Sequence, residues 1–121
     1  MYSIMLKSKL HMARVKEVRL DYEGSLTIDR ELMDAVKLRP YEKILVSNRA
    51  NGNRFETYAI AGVPGSGMIC LNGPAAYLGA VGDRLVILSF CLVPSDETSQ
   101  QHPLIFVLDE NNKPAGPRKE T

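Results

Sequence analysis

Short apolar runs separated by turn signals constrain the fold of this chain more than any other feature of its sequence. Turn-forming pairs such as Asn51-Gly52 and the segment Pro64-Gly65-Ser66-Gly67 interrupt the chain at short intervals. The pattern predicts a mainly β domain with short helices, in which strand edges must be paired or covered. The predicted strands include Lys43–Ser47, Arg54–Ile60, Met68–Leu71, Leu85–Val93 and Leu104–Leu108.

The sequence on both sides of Gly24-Ser25 also predicts extended chain. Val18, Leu20 and Tyr22 alternate with polar residues, which predicts a half-buried strand. Asp29 is placed as the N-cap of a short helix with an apolar stripe that ends before a proline. A second short helix is predicted over Ala75–Leu78.

One internal sequence similarity suggests that the chain consists of two related halves. Leu38–Val46 resembles Ala80–Leu88, and each copy passes from a short helix through a tight turn and an acid-base pair into a strand. Two halves packed about a pseudo-twofold axis would form a small closed barrel without free edges. Any two helix-turn-strand units look somewhat alike, so both interpretations stay open on these residues alone.

Length and charge exclude several classes of function. A chain of 121 residues suits one domain, expected here over residues 1–121, and often needs a partner surface to form a deep pocket. Basic and acidic residues number 15 and 14, which argues against binding nucleic acid through phosphates. No apolar run is long enough to span a membrane, and Lys7, Lys9 and His11 interrupt any signal-peptide pattern.

Neither the cysteines nor the histidines indicate a metal site. Cys70 and Cys91 lie in apolar runs and are expected to be buried thiols in a reducing cytoplasm. His11 and His102 are too isolated to suggest zinc.

The pair Gly24-Ser25 could perform an unusual reaction on its own backbone. A Gly-Ser pair in a strand usually means a bend or bulge. The Ser25 hydroxyl can, however, attack the Gly24 carbonyl to form an ester, and elimination then gives dehydroalanine, which hydrolyses to a pyruvoyl group. Glycine accepts the strained backbone angles that this requires.

Three further groups carry polar chemistry. Arg54 and Tyr58 share one face of a regular strand, whereas Thr57 points away and would need a bulge to join them. Arginine binds carboxylates and tyrosine can donate a proton, although a surface arginine and a core tyrosine remain the alternative. Lys9 and His11 share a face if their segment is extended. They could form a carboxylate-binding pair, or they could be a solvated basic edge of the sheet. The turn Asn72-Gly73-Pro74-Ala75 could hold an anion through backbone N–H groups, or it could be only a turn.

Together these groups resemble the bacterial aspartate 1-decarboxylase family from Met5 to Leu108. Several motifs in the same order and spacing carry the resemblance. They are Met5–His11, Asp21–Asp29, Asn51–Ile60, Gly65–Gly67, Leu71–Ala76 and Val81–Asp83.

The resemblance implies a double-psi β-barrel and a homotetramer with active sites between subunits. It implies self-cleavage into a β chain, residues 1–24, and an α chain, residues 25–121, that starts with a pyruvoyl group made from Ser25. In the family, the L-aspartate amine forms a Schiff base with this covalent cofactor, carbon dioxide leaves and β-alanine is released for pantothenate and coenzyme A synthesis. A cytoplasmic location follows from that role, and some members need a maturation helper protein.

The resemblance also assigns roles to individual residues. Tyr58 matches the proton donor, Arg54 and Lys9 match carboxylate-binding positions, and Thr57 matches a substrate contact that assists cleavage. The remaining matches are Asn72, Gly73, Pro74 and Ala75 for substrate and oxyanion contacts, and His11 and Tyr22 for pocket support.

Two residues depart from the family pattern, and two other functions remain as alternatives. Met12 replaces a common basic residue, and Pro74 replaces a common alanine and so lacks an N–H. The tail from Asn111 is expected to be flexible. The alternatives are a non-catalytic double-psi barrel and an AbrB-like DNA-binding module, for which Asp29–Val46 provides the helix-turn-strand unit.

Overall fold

The computed structural model describes residues 1–116 and is mainly β, which confirms the expected fold class. Its one α-helix is a six-residue element, and two 3₁₀ helices complete the helical content of the described residues. The strands are β1 Tyr2–Arg14, β2 Glu17–Arg19, β3 Ser25–Asp29, β4 Lys43–Asn48, β5 Arg54–Gly62, β6 Ile69–Asn72, β7 Arg84–Pro94 and β8 Leu104–Val107; the helices are α1 Arg30–Ala35 and the 3₁₀ helices Gly73–Leu78 and Ser95–Gln100.

The described strands form one continuous eight-stranded sheet in the order β2-β6-β3-β5-β4-β7-β1-β8. The pairs β1–β8, β2–β6 and β3–β5 are parallel, and the other neighbours are antiparallel. Closure of this sheet into a double-psi barrel stays a prediction.

A single apolar cluster packs on the inner face of the sheet. Strands β3 and β6 are buried on both faces, because side chains that point in opposite directions are covered in each. The largest fully buried side chains are Leu10, Leu26, Ile28, Met33, Ile44, Ile69, Leu71, Leu85, Ile87, Val15, Val36 and Val46.

Asp29 starts α1 as expected and also fastens a loop to it. Its side chain is 1% exposed, and Oδ1 accepts hydrogen bonds from the N–H groups of Glu31 and Gly65, each at 2.9 Å. Oδ2 accepts from the N–H of Gly67 at 2.8 Å. Three backbone donors that would otherwise lack partners are thereby satisfied by one carboxylate.

The turn before β4 is held by a carboxylate and by the neighbouring strand. Tyr41 has a positive φ of 70°, and its N–H donates to the carbonyl of Ala59 at 2.7 Å. Glu42 Oε1 accepts from the N–H of Arg39 at 3.0 Å.

The turn before β7 repeats these contacts. Gly82 has a φ of 96°, and its N–H donates to the carbonyl of Val15 at 2.8 Å. Asp83 Oδ2 accepts from the N–H of Ala80 at 2.9 Å. The sequence similarity between Leu38–Val46 and Ala80–Leu88 therefore reflects a repeated local structure.

The register of this repeat differs by one residue from the expected one. Tyr41 corresponds to Gly82 in φ and in hydrogen bonding, whereas the sequence comparison paired Leu38 with Ala80. The polar contacts of the backbone define the repeat better than the side-chain types do, because each turn uses a different residue at the left-handed position.

The segment before Gly24 differs from its prediction. Only Glu17–Arg19 forms a strand, and Leu20 and Asp21 form a turn. Leu20 and Tyr22 are 54% and 46% exposed, so the alternation there does not mark a half-buried strand. The segment lies at the end of the sheet, where β6 alone pairs with β2.

The first part of the expected flexible tail is anchored. Asn112 is fully buried, and its Nδ2 donates to the carbonyls of Arg14 and Gly67 at 2.9 and 2.8 Å. Its Oδ1 accepts from the N–H of Arg14 at 2.7 Å. The rest of the predicted tail, residues 117–121, lies outside the described residues, and the division of the chain into one domain stays a prediction.

Within residues 1–116, no helix has the length and apolar character needed to cross a membrane.

Replacing Asp29 with alanine should lower the free energy of unfolding by ~2–4 kcal/mol, because a helix cap, the buried N–H of Gly67 and the N–H of Gly65 lose their acceptor. Urea unfolding at one fixed chain concentration measures the effect. Asp34→Ala is the matched control, since Asp34 makes an exposed ion pair with Arg30 and should cost under ~0.5 kcal/mol. Equal losses in the two variants would contradict this role for Asp29.

Candidate active site

Four polar side chains form a square on one face of the β3–β6 pair. Ser25 lies directly opposite Asn72, and Thr27 lies directly opposite Cys70. Direct partners in an antiparallel pair share a face, as do residues two apart in one strand. The other face of the same pair carries core leucines and isoleucines. We call this polar group the Ser25 square.

Asn72 connects the members of the Ser25 square. Its Nδ2 donates to Ser25 Oγ at 2.9 Å and to Thr27 Oγ1 at 2.8 Å. Its Oδ1 accepts from Cys70 Sγ at 3.2 Å. Asn72, Ser25 and Cys70 are each no more than 2% exposed, so these contacts are shielded from water.

The thiol of Cys70 keeps its proton at neutral pH. Burial raises the pKa of Cys70, the carboxylate of Glu17 raises it further, and Arg19 lowers it in part. Cys70 therefore acts as a hydrogen-bond donor within the Ser25 square.

The loop that leads to Ser25 lies directly on Gly73. Gly73 has a φ of 61°, and a Cβ placed on it would come within 2.5 Å of the carbonyl oxygen of Tyr22 and 2.8 Å of the nitrogen of Gly24. A Cβ on Gly24 would lie 3.3 Å from Cδ of Pro74. The two backbone segments can approach this closely only because position 73 lacks a side chain.

A cleft of about 250 Å³ opens beside the Gly24–Ser25 bond. Gly24 lines it from the loop before β3, Thr57 lines it from β5, and Pro74 and Ala75 line it from the 3₁₀ helix. Thr57 therefore lies next to the bond that was expected to break. The remaining lining residues are Phe55, Glu56 and Leu78.

Arg54 and Tyr58 lie on the opposite face of β5 from Thr57. The β4–β5 pairing has an unbroken register from Lys43–Tyr58 to Ser47–Arg54, so no bulge turns Thr57 toward them. The strict alternation expected from the sequence is therefore observed. The Tyr58 ring packs at 6.3 Å from the ring of Tyr41.

Lys9 and His11 occupy the same outer face of the sheet as Arg54. Cross-strand partners connect Arg54 with Ser47, Ser47 with Val86, and Val86 with His11. The neighbouring row runs from Glu56 through Leu45 and Leu88 to Lys9. Strands β5 and β1 are three strand spacings apart, about 14 Å along the sheet.

The two departures from the family pattern have definite surroundings. Met12 has a positive φ of 69° and lies at a register shift in β1 after His11. Its carbonyl accepts from Arg84 Nη1 at 2.7 Å, and its Sδ lies 2.8 Å from Arg49 Nη1. Pro74 cannot donate an N–H, but its ring packs against Gly24 and can still have a steric role.

Tyr22 lies on the surface near the Gly24–Ser25 bond. Its side chain is 46% exposed, and the Arg19 guanidinium lies 5.1 Å from the centre of its ring. Its backbone carbonyl, rather than its side chain, faces Gly73.

Within one chain, the candidate residues thus divide into two groups. Gly24, Thr57, Pro74 and Ala75 line one cleft, whereas Lys9, His11, Arg54 and Tyr58 share the outer face of the sheet. The Ser25 square also lies on that outer face, because Leu26 pairs with Ala59 and Ser25 is therefore level with Tyr58. The sequence reasoning missed Cys70 and Thr27. Their signal was the spacing of two polar residues two apart in each of two apolar runs, which becomes meaningful only when the two strands pair.

Among the described residues, no cluster of three or more His, Cys, Asp or Glu side chains could hold a metal ion.

Comparison with known proteins gives a match over almost the whole chain. The family model described as aspartate decarboxylase matches residues 1–115. A protein named aspartate 1-decarboxylase from Syntrophobacter fumaroxidans is 52% identical over 114 residues, which is 94% of this chain and 92% of that protein. Proteins of the same name from Geobacillus sp. and Thermoanaerobacter pseudethanolicus are 46% and 47% identical over 93% and 94% of this chain, covering 89% and 97% of their own lengths.

Gly73→Ala should displace the loop at residues 22–24, because a new methyl group would overlap the carbonyl of Tyr22. Hydrogen exchange of the Gly24 and Ser25 amides should become faster, and the protein should lose stability beyond the ~1 kcal/mol cost of placing alanine at positive φ. Gly52→Ala is the matched control, since Gly52 has a φ of 76° and nothing within 4 Å of its Cβ position. Equal exchange at Gly24 in both variants would show that Gly73 does not hold this loop.

Proposed function

The chain belongs to the aspartate decarboxylase family, and on that premise we propose that it is an enzyme that converts L-aspartate into β-alanine and carbon dioxide. We propose further that it first cuts its own backbone between Gly24 and Ser25. The observation that carries the proposal is the fully buried Ser25 hydroxyl, which Asn72 binds. It follows Gly24, whose backbone packs directly against Gly73.

The surroundings of Ser25 suit attack on the preceding peptide bond. Ser25 Oγ bonds to the carbonyl carbon of Gly24, the C–N bond breaks, and the hydroxyl proton passes to the freed amine. The Asn72 N–H points at Oγ and stabilises the negative charge that develops there. Thr57 lines the cleft beside Gly24 and can hold the carbonyl oxygen or the transferred proton.

Elimination from the resulting ester would complete the cleavage. The Cα proton of residue 25 is lost, the bond between Cβ and Oγ breaks, and Gly24 departs as a carboxylate at the end of the β chain. Water then replaces the nitrogen of the dehydroalanine, which is released as ammonia.

The residues around position 25 fit a pyruvoyl group. Such a group takes the place of the Ser25 side chain, so it needs a buried chain end with a donor aimed at it, and Asn72 supplies that donor. When formed, the pyruvoyl carbonyl supplies an electrophile for the substrate amine and draws off the electrons released on loss of carbon dioxide. The adjoining cleft, lined by Thr57, Pro74 and Ala75 next to Asn72 and Gly73, would hold the rest of the substrate.

Arg54, Lys9 and Tyr58 would act on the substrate from the outer face of the sheet. Arg54 offers a planar guanidinium for one carboxylate, Lys9 offers a point charge, and Tyr58 Oη can deliver a proton. The pairing of Leu26 with Ala59 places Tyr58 level with Ser25 on the outer face of adjacent strands. Lys9 on β1 lies four strand spacings from β3, about 19 Å along the sheet, so it would meet the Ser25 site of a neighbouring subunit. His11, beside Lys9, and Tyr22, near Gly24, would support the pocket from the two sides.

The outer face of the sheet also provides the surface for such an assembly, which we propose is a homotetramer. Ile4 and Leu92 are 74% and 69% exposed and lie directly opposite each other, next to Phe90. They border a groove of about 340 Å³ that continues to Leu45. Contiguous apolar surface of this kind marks an interface, and its continuity with Arg54 and Tyr58 favours a second copy of this chain as the partner.

This function would place the protein in the cytoplasm, where β-alanine serves pantothenate and coenzyme A synthesis. A maturation helper protein would be needed only if the purified chain does not cleave itself.

The intact mass of the purified, warmed protein under denaturing conditions tests the cleavage step. We expect two fragments that meet at Gly24 and Ser25, the larger with an N-terminus that is blocked and reacts with a carbonyl reagent. Ser25→Ala should give only the full-length mass. A full-length wild-type mass that persists after cell extract is added would refute the catalytic function, and binding of a DNA duplex at low salt would then favour the regulator alternative.

Arg54→Ala tests the substrate assignment. The variant should cleave itself at the wild-type rate but form β-alanine ~10- to 100-fold more slowly, because a charge-assisted contact to the substrate is lost. Arg30→Ala is the matched control, since Arg30 is an exposed arginine paired with Asp34 on α1. Decarboxylation at the wild-type rate in Arg54→Ala would exclude a carboxylate-binding role for Arg54.

A further inference from the structure

We infer that Cys70 is a positioning residue for self-cleavage, because its thiol fixes the side-chain amide of Asn72 with Nδ2 toward Ser25. The inference rests on the proposed function, in which the Gly24–Ser25 bond is cut. Cys70 does not touch the bond itself. It acts through Asn72, with Sγ 3.2 Å from Asn72 Oδ1.

Every hydrogen-bonding group of the Asn72 amide has a partner within the Ser25 square. Its two N–H groups donate to Ser25 Oγ and Thr27 Oγ1, and its oxygen accepts a hydrogen bond from the Cys70 thiol. Asn72 is 1% exposed, so water does not offer alternative partners. The amide therefore has two arrangements to choose from, the observed one and one rotated by half a turn.

Ser25 and Thr27 do not decide between these arrangements. A hydroxyl group both donates and accepts, so it can face either the nitrogen or the oxygen of an amide. Cys70 does discriminate, because a protonated thiol donates and is only a weak acceptor. Burial and the nearby Glu17 carboxylate raise the pKa of this thiol, which keeps it protonated as the pH rises above neutrality.

Only the observed arrangement suits the cleavage reaction. As Ser25 Oγ loses its proton, an N–H directed at it stabilises the developing negative charge. In the rotated arrangement the Asn72 oxygen would face Oγ instead, where it would repel that charge. The observed arrangement also leaves the hydroxyl proton free to point away, toward the carbonyl of Glu23 at 3.4 Å.

The cleavage rate should therefore depend on the fraction of molecules with Asn72 in the observed arrangement. Cys70→Ala removes the discriminating donor, and we expect Gly24–Ser25 cleavage of purified precursor to slow by about 3- to 10-fold, the weight of one hydrogen bond. Cys70→Ser keeps the size of the side chain, but its hydroxyl both donates and accepts, so it does not discriminate and should slow cleavage by a similar factor. Cys91→Ala is the matched control for loss of a thiol and should cleave like wild type, since Cys91 is the other free cysteine and lies on β7.

Intact mass against time measures the rates, and thermal melting of each precursor checks that it is folded. Asn72→Ala alone should also slow cleavage, and adding Cys70→Ala to it should cause no further loss if Cys70 acts through Asn72. Equal rates in wild type and Cys70→Ala would overturn the inference. So would a wild-type rate in Cys70→Ser, or additive losses in the double variant, because both indicate a packing role. Failure of the wild-type chain to cleave at all would instead count against the proposed function.

Discussion

The pairing of β3 with β6 is the constraint on which the rest of the site depends. Every side chain of the two strands is buried except that of Thr27, which is half-buried, so each buried side chain must be either apolar or fully hydrogen-bonded. On the inner face the side chains are apolar, with Leu26, Ile28 and their cross-strand partners in the core. On the other face the side chains are those of the Ser25 square, which are hydrogen-bonded to one another. A shift of this register by one residue would exchange the two faces and bury the polar group in the core.

The same pairing explains why Gly24 and Gly73 come together. Ser25 begins β3 and Asn72 ends β6, so the residues just outside the pair leave the sheet at the same place. Their backbones must then pass within van der Waals distance, and a side chain at position 73 would prevent this. The left-handed backbone at Gly73 and its missing Cβ thus serve one geometric requirement, the close packing of the segment that carries the Gly24–Ser25 bond.

Sequence patterns predicted what depends on neighbours along the chain. The alternation in β5 separated Arg54 and Tyr58 from Thr57, and the Asp29 cap was predicted from its position before an apolar stripe. The strand over Val18–Tyr22 was wrong because alternation does not show whether a second layer covers the segment, and here the end of the sheet leaves Leu20 in solvent. The Ser25 square could not be predicted, because it joins residues that are 45 and more positions apart through a register that no local pattern contains.

The positions of the candidate residues in the sheet bear on the order of events in the proposed function. Ser25, Asn72, Gly24 and Thr57 belong to one chain, with Asn72 bonded to Ser25 and Thr57 lining the cleft at Gly24, so the groups needed for cleavage are present before any assembly. Tyr58 lies on the same outer face as Ser25, one strand away, whereas Lys9 lies four strand spacings from β3, about 19 Å along the sheet and beyond the reach of its side chain. On this assignment, cleavage is a reaction within one chain, whereas decarboxylation requires a second chain to bring its Lys9 to the Ser25 site. A short chain that builds only one core can in this way form a two-sided pocket that neither copy could enclose alone.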